Sequence, residues 1–182
     1  MILIINTSSG GIDLLLNNNL RHIDADKQAI ALPVAVEQLL HDENISMADL
    51  TAIGVVVGPG SFTGIRLGIA YAKGCAIGLK IPVVPINAFE LYLESTPDAF
   101  VAIDSGRIDL FVGAADMEPG TMEISEIETF QMKYPRTVGH KPFDLHNAIP
   151  IVERKLTDGN IEPVVPMYLR PSYAELNKKT ND

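Results

Sequence analysis

Several residue types that would indicate a particular class of protein are scarce or missing in this sequence. Tryptophan is absent, and cysteine occurs once in 182 residues, as Cys75. A single cysteine cannot form an intramolecular disulfide, which favours a reducing compartment. No apolar run reaches the ~18 residues of a membrane span, and the N-terminus lacks the basic region of a signal peptide. The sequence therefore predicts a soluble, cytoplasmic protein with no membrane partner.

Basic residues are also few. The chain has 14 Lys and Arg residues against 23 Asp and Glu residues, which gives a formal net charge of −9. A protein that binds nucleic acid by itself needs clustered cations to hold the phosphates. The charge balance therefore argues against direct binding of nucleic acid by this chain alone.

Residues that would form a catalytic or metal site do not occur at the required spacing. None of the four histidines forms an H-x-x-x-H pair, so no metal site is predicted. Ser61 directly follows a glycine and is not the centre of a G-x-S-x-G elbow; we expect it to cap a helix, with Thr63 as the competing candidate. Asp104, Arg107 and Asp109 surround a predicted hairpin and favour a structural ion-pair cluster over an acid–base pair. No catalytic residue and no cofactor is predicted.

The apolar pattern of the first half predicts alternating strands and helices. Strands are predicted at residues 1–5, 12–16, 20–23, 52–58 and 81–86, and helices at residues 27–41, 62–78 and 88–93. The first three strands follow one another through tight turns and should pair antiparallel. This order, βββαβαβα, is typical of an actin-like, sugar-kinase-like (ASKHA) lobe of the α/β class.

The second half repeats this plan in a shorter form. A hairpin is predicted from residues 100–104 and 108–114, followed by a third strand at 122–130 and a helix at 145–156. We therefore expect two βββαβα-type lobes, the second reduced. The first lobe, residues 1–86, carries the helices expected to bind a partner, and the second lobe, residues 87–182, ends in a C-terminal tail.

A glycine-rich stretch, GPGSFTGIRLG at residues 58–68, separates a predicted strand from an apolar helix. It lacks the lysine of a P-loop, and its third glycine comes one residue too late for the dinucleotide fingerprint G-x-G-x-x-G. Nucleotide binding is therefore weakly supported, with phosphate binding to the free N–H groups of the helix as a secondary role. We expect the loop to position the start of the helix through these residues: Gly58, Pro59, Gly60, Ser61 and Thr63.

The helix at residues 62–78 is apolar on nearly every side. Such a helix is buried on every side, whereas the sheet of one lobe covers a single side. Gly64 and Gly68 are spaced i, i+4, as are Gly74 and Gly78, and this spacing allows a second helix to approach closely. The pattern favours a helix-to-helix partner surface, which a bulky residue at Gly68 should block. The alternative is that the glycines let the helix pack closely on its own sheet.

The stretch at residues 45–84, and above all GPGSFTGIRLG within it, resembles the TsaB (YeaZ) family, the non-catalytic relatives of the tRNA threonylcarbamoyltransferase TsaD. Three shorter matches support the resemblance: INTS at residues 5–8, DSGRIDLF at 104–111 and PMYLR at 166–170. The resemblance extends over most of the first lobe and over a smaller part of the second.

This resemblance implies a scaffold subunit that does no chemistry itself. It implies that the chain works with TsaD, as a heterodimer, and with a small ATPase, TsaE, to form N6-threonylcarbamoyladenosine on tRNAs that read codons beginning with A. Contact with tRNA would occur through the complex, and a homodimer is a possible state of the chain alone. We expect the helices at residues 28–40 and 63–78 to bind TsaD through these residues: Leu32, Val36, Gly64, Arg66, Leu67, Gly68 and Tyr71.

The sequence departs from the family at two places. Asn6 occupies the position where actin-like ATPases have an aspartate that organises the metal, and the stretch at residues 130–145 is shorter than in family members. The rival hypothesis is an actin-fold enzyme, an ATPase or a glycoprotease-like protein, that binds ATP or a metal by itself. Hydrolysis of ATP or of a peptide that is lost on changing Asp104 would favour this rival.

Overall fold

The computed structural model describes residues 1–128 and 132–170. Within these residues the strands are β1 (Ile2–Asn6), β2 (Ile12–Leu16), β3 (Asn19–Ile23), β4 (Ala52–Gly58), β5 (Val83–Asn87), β6 (Phe100–Asp104), β7 (Asp109–Ala114), β8 (Met117–Glu123) and β9 (Thr137–Val138). The α-helices are α1 (Gln28–Asp42), α2 (Phe62–Leu79), α3 (Ala88–Ser95) and α4 (Ala148–Asp158). The predicted order of elements in the first half is confirmed, and the tail beyond residue 170 lies outside the described residues.

The first sheet has the strand order β3-β2-β1-β4-β5. Strands β1, β2 and β3 pair antiparallel, because tight turns join them, and β4 and β5 run parallel to β1, because α1 and α2 form the crossovers. All seven residues of β4 are buried. A continuous apolar strand of this kind is typical of a position covered on both faces.

Helices cover both faces of the first sheet. Leu3 and Ile5 of β1 face α1 and α2, which contribute residues such as Val36 and Ile69 to one core cluster. On the opposite face, Ile4 lies in a second cluster with α3 and α4. Helix α4 thus comes from the second half of the chain and packs against the first sheet. The division into lobes at residue 86 stays a prediction.

The second sheet has the strand order β8-β7-β6-β9. Strands β6, β7 and β8 pair antiparallel, and the two-residue strand β9 runs parallel to β6. Val101 and Phe111 face α3 through Phe89, and Phe100 lies on the other face, where its ring stacks on Tyr134 at 5.4 Å between centroids. This sheet is smaller than the first, as the sequence predicted.

The strand predicted at residues 122–130 is wrong in its position. The chain turns at residues 115–116, β8 begins at Met117, and a 3-10 turn follows at Ile124–Glu126, while residues 129–130 lie outside the described part. The strand includes Pro119 and Gly120, two residue types that are uncommon in β-strands. Proline is tolerated here because β8 is an edge strand, where a missing N–H breaks no ladder bond.

No helix among residues 1–128 and 132–170 is long and apolar enough to cross a bilayer.

Candidate functional site

The glycine loop brings the end of β4 against the segment that follows β1. Gly58 has a φ of +118° and is followed by a cis peptide bond to Pro59; glycine adopts this φ without strain. Gly60 lies so close to this segment that a Cβ there would overlap the carbonyl oxygen of Ser8. The N–H of Ser61 donates to that same oxygen at 2.7 Å. The loop therefore fixes the point where α2 begins.

Ser61 caps α2, as predicted. Its Oγ accepts a hydrogen bond from the N–H of Gly64 at 3.2 Å, and Thr63, the competing candidate, is exposed in the first turn. A cap of this kind stabilises a helix by about 1 kcal/mol. Thr7 connects the same turn to β1, because its Oγ1 donates to the carbonyl oxygen of Gly64 at 2.7 Å.

The first glycine pair of α2 faces the helix's own sheet. A Cβ at Gly64 would overlap the carbonyl oxygen of Thr7, and a Cβ at Gly68 would overlap Thr7 Oγ1. For these two glycines the structure shows the alternative interpretation, close packing on the sheet. A bulky residue at Gly68 would therefore disturb the fold instead of reporting on a partner.

The second glycine pair of α2 faces outward. A Cβ added at Gly74 or Gly78 would meet no described atom within 4 Å, and both residues are exposed. Glycine in the middle of a helix costs about 1 kcal/mol relative to alanine. Nothing in the packing of residues 1–128 and 132–170 offsets that cost at these two positions.

One face of α2 is exposed along its whole length. Its residues follow one another at spacings of three and four, so they share a side of the helix, and Ile77 is 79% exposed. We name this face the α2 stripe, and its members are Thr63, Arg66, Ala70, Gly74 and Ile77. Most residues of the stripe are small or apolar, and small side chains allow a second helix to pack closely against them.

Helix α1 contacts α2 and also exposes apolar side chains. Ile30 is 68% exposed and Val34 is 54% exposed. Between the two helices, burial raises the pKa of Tyr71 far above its ordinary value, and the neighbouring Cys75 and Glu37 add to the rise. Tyr71 therefore stays uncharged and contributes a half-buried ring at the junction of α1 and α2.

Four of the predicted partner-binding residues lie inside the chain. Leu32 and Val36 are fully buried in the core, and Gly64 and Gly68 are buried against Thr7. These four residues are not accessible to a partner, because α1 and α2 use that side to cover the sheet.

Three predicted residues remain accessible. Arg66 is exposed, and Leu67 and Tyr71 are partly exposed. Their partner role stays a prediction. Ala70 and Ile77, which complete the α2 stripe, are not among the residues predicted from the sequence. The signal that could have found them is the spacing of Ala70 and Ile77 around Gly74.

A cleft of about 540 Å³ separates the two sheets, and Asn6 lies in its wall. Asn6 is fully buried, and its amide donates to Asp13 at 2.8 Å and to Ser9 at 3.0 Å. Asp13 also accepts a hydrogen bond from His22 at 2.6 Å, which raises the pKa of His22. Asn6 and Asp13 are thus engaged with each other. Among residues 1–128 and 132–170 no group of three His, Cys, Asp or Glu side chains could hold a metal.

The hairpin between β6 and β7 forms part of the expected polar cluster. Asp104 accepts a hydrogen bond from the N–H of Gly106 at 2.7 Å, and Ser105 donates to the carboxylate of Asp109 at 2.9 Å. Asp109 forms its ion pair with Arg170, which reaches the hairpin from the other end of the chain. The part of Arg170 in this cluster was not predicted from the sequence, because Asp109 is 61 residues away.

The comparison with protein families identifies the chain. A family model described as TsaD, tRNA N6-adenosine threonylcarbamoyltransferase, matches residues 23–132, and the tRNA threonylcarbamoyladenosine biosynthesis protein TsaB of Bacillus subtilis is 36% identical over 115 residues. The chain belongs to the TsaD family, in its TsaB (YeaZ) group. The B. subtilis TsaB match covers 61% of this chain and 50% of that relative.

Two further matches concern the family and the fold. The tRNA N6-adenosine threonylcarbamoyltransferase of Clostridium novyi is 30% identical over 91 residues, which is 50% of this chain and 25% of that relative. The chain thus spans about half or less of the length of these curated relatives. A Pseudomonas aeruginosa protein described as similar to the peptidase YeaZ superposes with a TM-score of 0.73 at 16% identity, over 93% of this chain and 99% of that one. The predicted actin-like fold of the TsaB group is thereby confirmed.

Proposed function

We propose that this TsaB-like chain is a non-catalytic scaffold subunit that binds a TsaD and supports formation of N6-threonylcarbamoyladenosine on tRNA in the cytoplasm. In this proposal TsaE joins the pair, and tRNA is contacted through the complex. When TsaD is absent, two copies of the chain pair through the same surface. The name of the B. subtilis relative, a tRNA threonylcarbamoyladenosine biosynthesis protein, supports the pathway.

The observation that carries the proposal is the α2 stripe. Gly74 faces open space, and one turn later Ile77 is 79% exposed. Isolated exposed apolar residues are ordinary, but a contiguous apolar face marks an interaction surface. Helix α1, which contacts α2, exposes two further apolar residues, Ile30 and Val34. A helix of TsaD, packed against Gly74, would cover all of these residues.

The cleft supports a structural role better than catalysis. Asn6 is a neutral amide where a cation would require a carboxylate, and its two N–H donors are already held by Asp13 and Ser9. A side chain in this state is a poor ligand for Mg²⁺ and cannot act as a general base. We therefore assign the contribution of this chain to the TsaD complex rather than to a reaction of its own.

The direct test is sedimentation velocity of the chain, of TsaD from the same organism, and of their mixture. The wild-type chain should form a heterodimer. Gly74→Leu should weaken that heterodimer by about tenfold or more, because a large side chain would separate the two helices at the centre of the contact. The matched control is Gly120→Leu on β8, where a new side chain also meets open space.

Each outcome of this experiment bears on a different hypothesis. A wild-type chain that does not sediment with TsaD contradicts the proposal. Equal binding by Gly74→Leu and Gly120→Leu would move the contact away from the α2 stripe. Hydrolysis of ATP by the purified chain, lost in Asp104→Asn, would instead support the rival actin-fold enzyme, for which the cleft of about 540 Å³ provides the space.

A further inference from the structure

The N-terminal end of α2 holds an arginine against a pair of stacked aromatic rings. The guanidinium carbon of Arg66 lies 3.9 Å from the centroid of the Phe62 ring, and Arg66 Nε donates to the hydroxyl of Tyr168 at 2.6 Å. The rings of Phe62 and Tyr168 stack with centroids 4.7 Å apart and planes 22° apart. We name these three residues the arginine cradle. Two of its members come from α2, and Tyr168 comes from a segment 102 residues later.

The segment that carries Tyr168 is fixed on both sides of it. The N–H of Met167 donates to the carbonyl oxygen of Val57 at 2.7 Å, at the end of β4. Arg170 forms its ion pair with Asp109 on β7. Tyr168 is therefore placed by backbone and side-chain contacts that do not involve α2. The cradle is preorganised, so Arg66 loses little further freedom when it binds a ligand.

The charge of α2 is opposite to that of the chain. The helix contains Arg66 and Lys73 and no acidic residue, whereas the whole chain has a net charge of −9. Arg66 is exposed, and among residues 1–128 and 132–170 its hydrogen bond to Tyr168 engages Nε and leaves the two terminal nitrogens for a ligand. A planar guanidinium binds a carboxylate through two parallel hydrogen bonds.

We propose that Arg66 in its cradle binds a carboxylate of TsaD at the N-terminal end of the helix contact. This inference rests on the proposed function, because it assumes that TsaD packs on the α2 stripe. Arg66 lies one turn before Ala70 and about two turns before Gly74 in that stripe, so the ion pair would lie at one end of the close helix packing. Small and apolar neighbours of this kind exclude water and strengthen a charged hydrogen bond.

A protein carboxylate fits this surface better than an RNA phosphate. Nucleic acid requires several cations in a row, and the α2 stripe contains Arg66 followed by Ala70, Gly74 and Ile77. The aromatic faces of Phe62 and Tyr168 that meet here are stacked on each other. The cradle is therefore built to hold one cation in one place.

The experiment is titration calorimetry of the full chain with TsaD at two salt concentrations. Arg66→Gln should weaken binding by about tenfold to a hundredfold. Arg66→Lys should recover part of the lost affinity, because lysine keeps the positive charge but lacks the two parallel N–H donors of the guanidinium. Tyr168→Phe keeps the ring and removes the hydroxyl, and it should weaken binding by about three- to tenfold. The matched control is Arg154→Gln, whose arginine pairs with Glu94 on the opposite side of the first sheet.

Two further readouts distinguish an ion pair from a structural role. Binding of Arg66→Gln should depend less on salt than binding of the wild type, since a charge pair is screened. The melting temperatures of Arg66→Gln and Tyr168→Phe should stay near that of the wild type. Lower melting temperatures with unchanged affinity for TsaD would overturn the inference.

Three further outcomes would overturn either this inference or the proposed function. If the wild type binds TsaD, and Arg66→Gln binds equally well with the same dependence on salt, this inference is overturned while the proposed function stands. If Arg66→Gln reduces binding of tRNA by the assembled complex but not binding of TsaD, the cradle serves a phosphate and the inference is again overturned. A wild type that does not bind TsaD overturns the proposed function itself.

Discussion

The two glycine pairs of α2 have the same spacing and opposite surroundings. Gly64 and Gly68 lie against Thr7 with no room for a methyl group, whereas Gly74 and Gly78 face open space. The comparison shows that an i, i+4 pair of glycines indicates close approach without saying what approaches. In the first pair the neighbour is Thr7, which directly follows β1 of the same chain. In the second pair we propose that it is a helix of TsaD.

The largest effect should come from Gly64→Ala. The new Cβ would overlap the carbonyl oxygen of Thr7, and a backbone atom directly after β1 cannot move aside as the end of a flexible side chain can. We expect the free energy of unfolding to fall by about 3 kcal/mol or more, measured by urea denaturation. A loss below about 1 kcal/mol would mean that α2 is not pressed onto β1, and the contrast between the two pairs would disappear.

A smaller effect is expected for Gly68→Ala, because its neighbour is the side-chain oxygen of Thr7. The predicted loss of stability is about 1–2 kcal/mol. Thr7→Ala removes that oxygen and, with it, the hydrogen bond to Gly64. The free energy of unfolding lost in the double mutant should therefore be about 1 kcal/mol smaller than the sum of the losses in the two single mutants. Additive losses would contradict the assigned contact.

The smallest effect, and the opposite sign, is expected for Gly74→Ala. The methyl group meets nothing within 4 Å, and alanine favours the helix by about 0.5–1 kcal/mol. The isolated chain should become more stable in the same urea experiment, while TsaD binds it less tightly. A stabilised variant with unchanged affinity for TsaD would indicate that Gly74 lies outside the contact.

Much of the fold can be predicted from local patterns in the sequence. The order of elements in the first half, the start of α2 and the cap at Ser61 follow from apolar spacing and from short motifs, and all are confirmed. The strand β8 was misplaced, because Pro119 is unusual in a strand and the exception depends on β8 being an edge strand. That property is set by the topology of the sheet, which lies beyond the local pattern.

The candidate surface was predicted less well, for a physical reason. A helix that is apolar on every side does not reveal which side faces the sheet, and here that choice depends on Thr7, which is 57 residues from Gly64. The arginine cradle depends on Tyr168, which is 102 residues from Arg66. Contacts at such separations leave no periodic trace in a single sequence.

The packing of α4 on the first sheet has a consequence for synthesis of the chain. Ile151 and Val152 of α4 share a core cluster with Ile4 of β1, so this face of β1 is covered by a helix that is synthesised much later than the strand. Until then an apolar face stays open to aggregation, and contacts of this separation form slowly. We expect a nascent chain that ends before α4 to depend on chaperones.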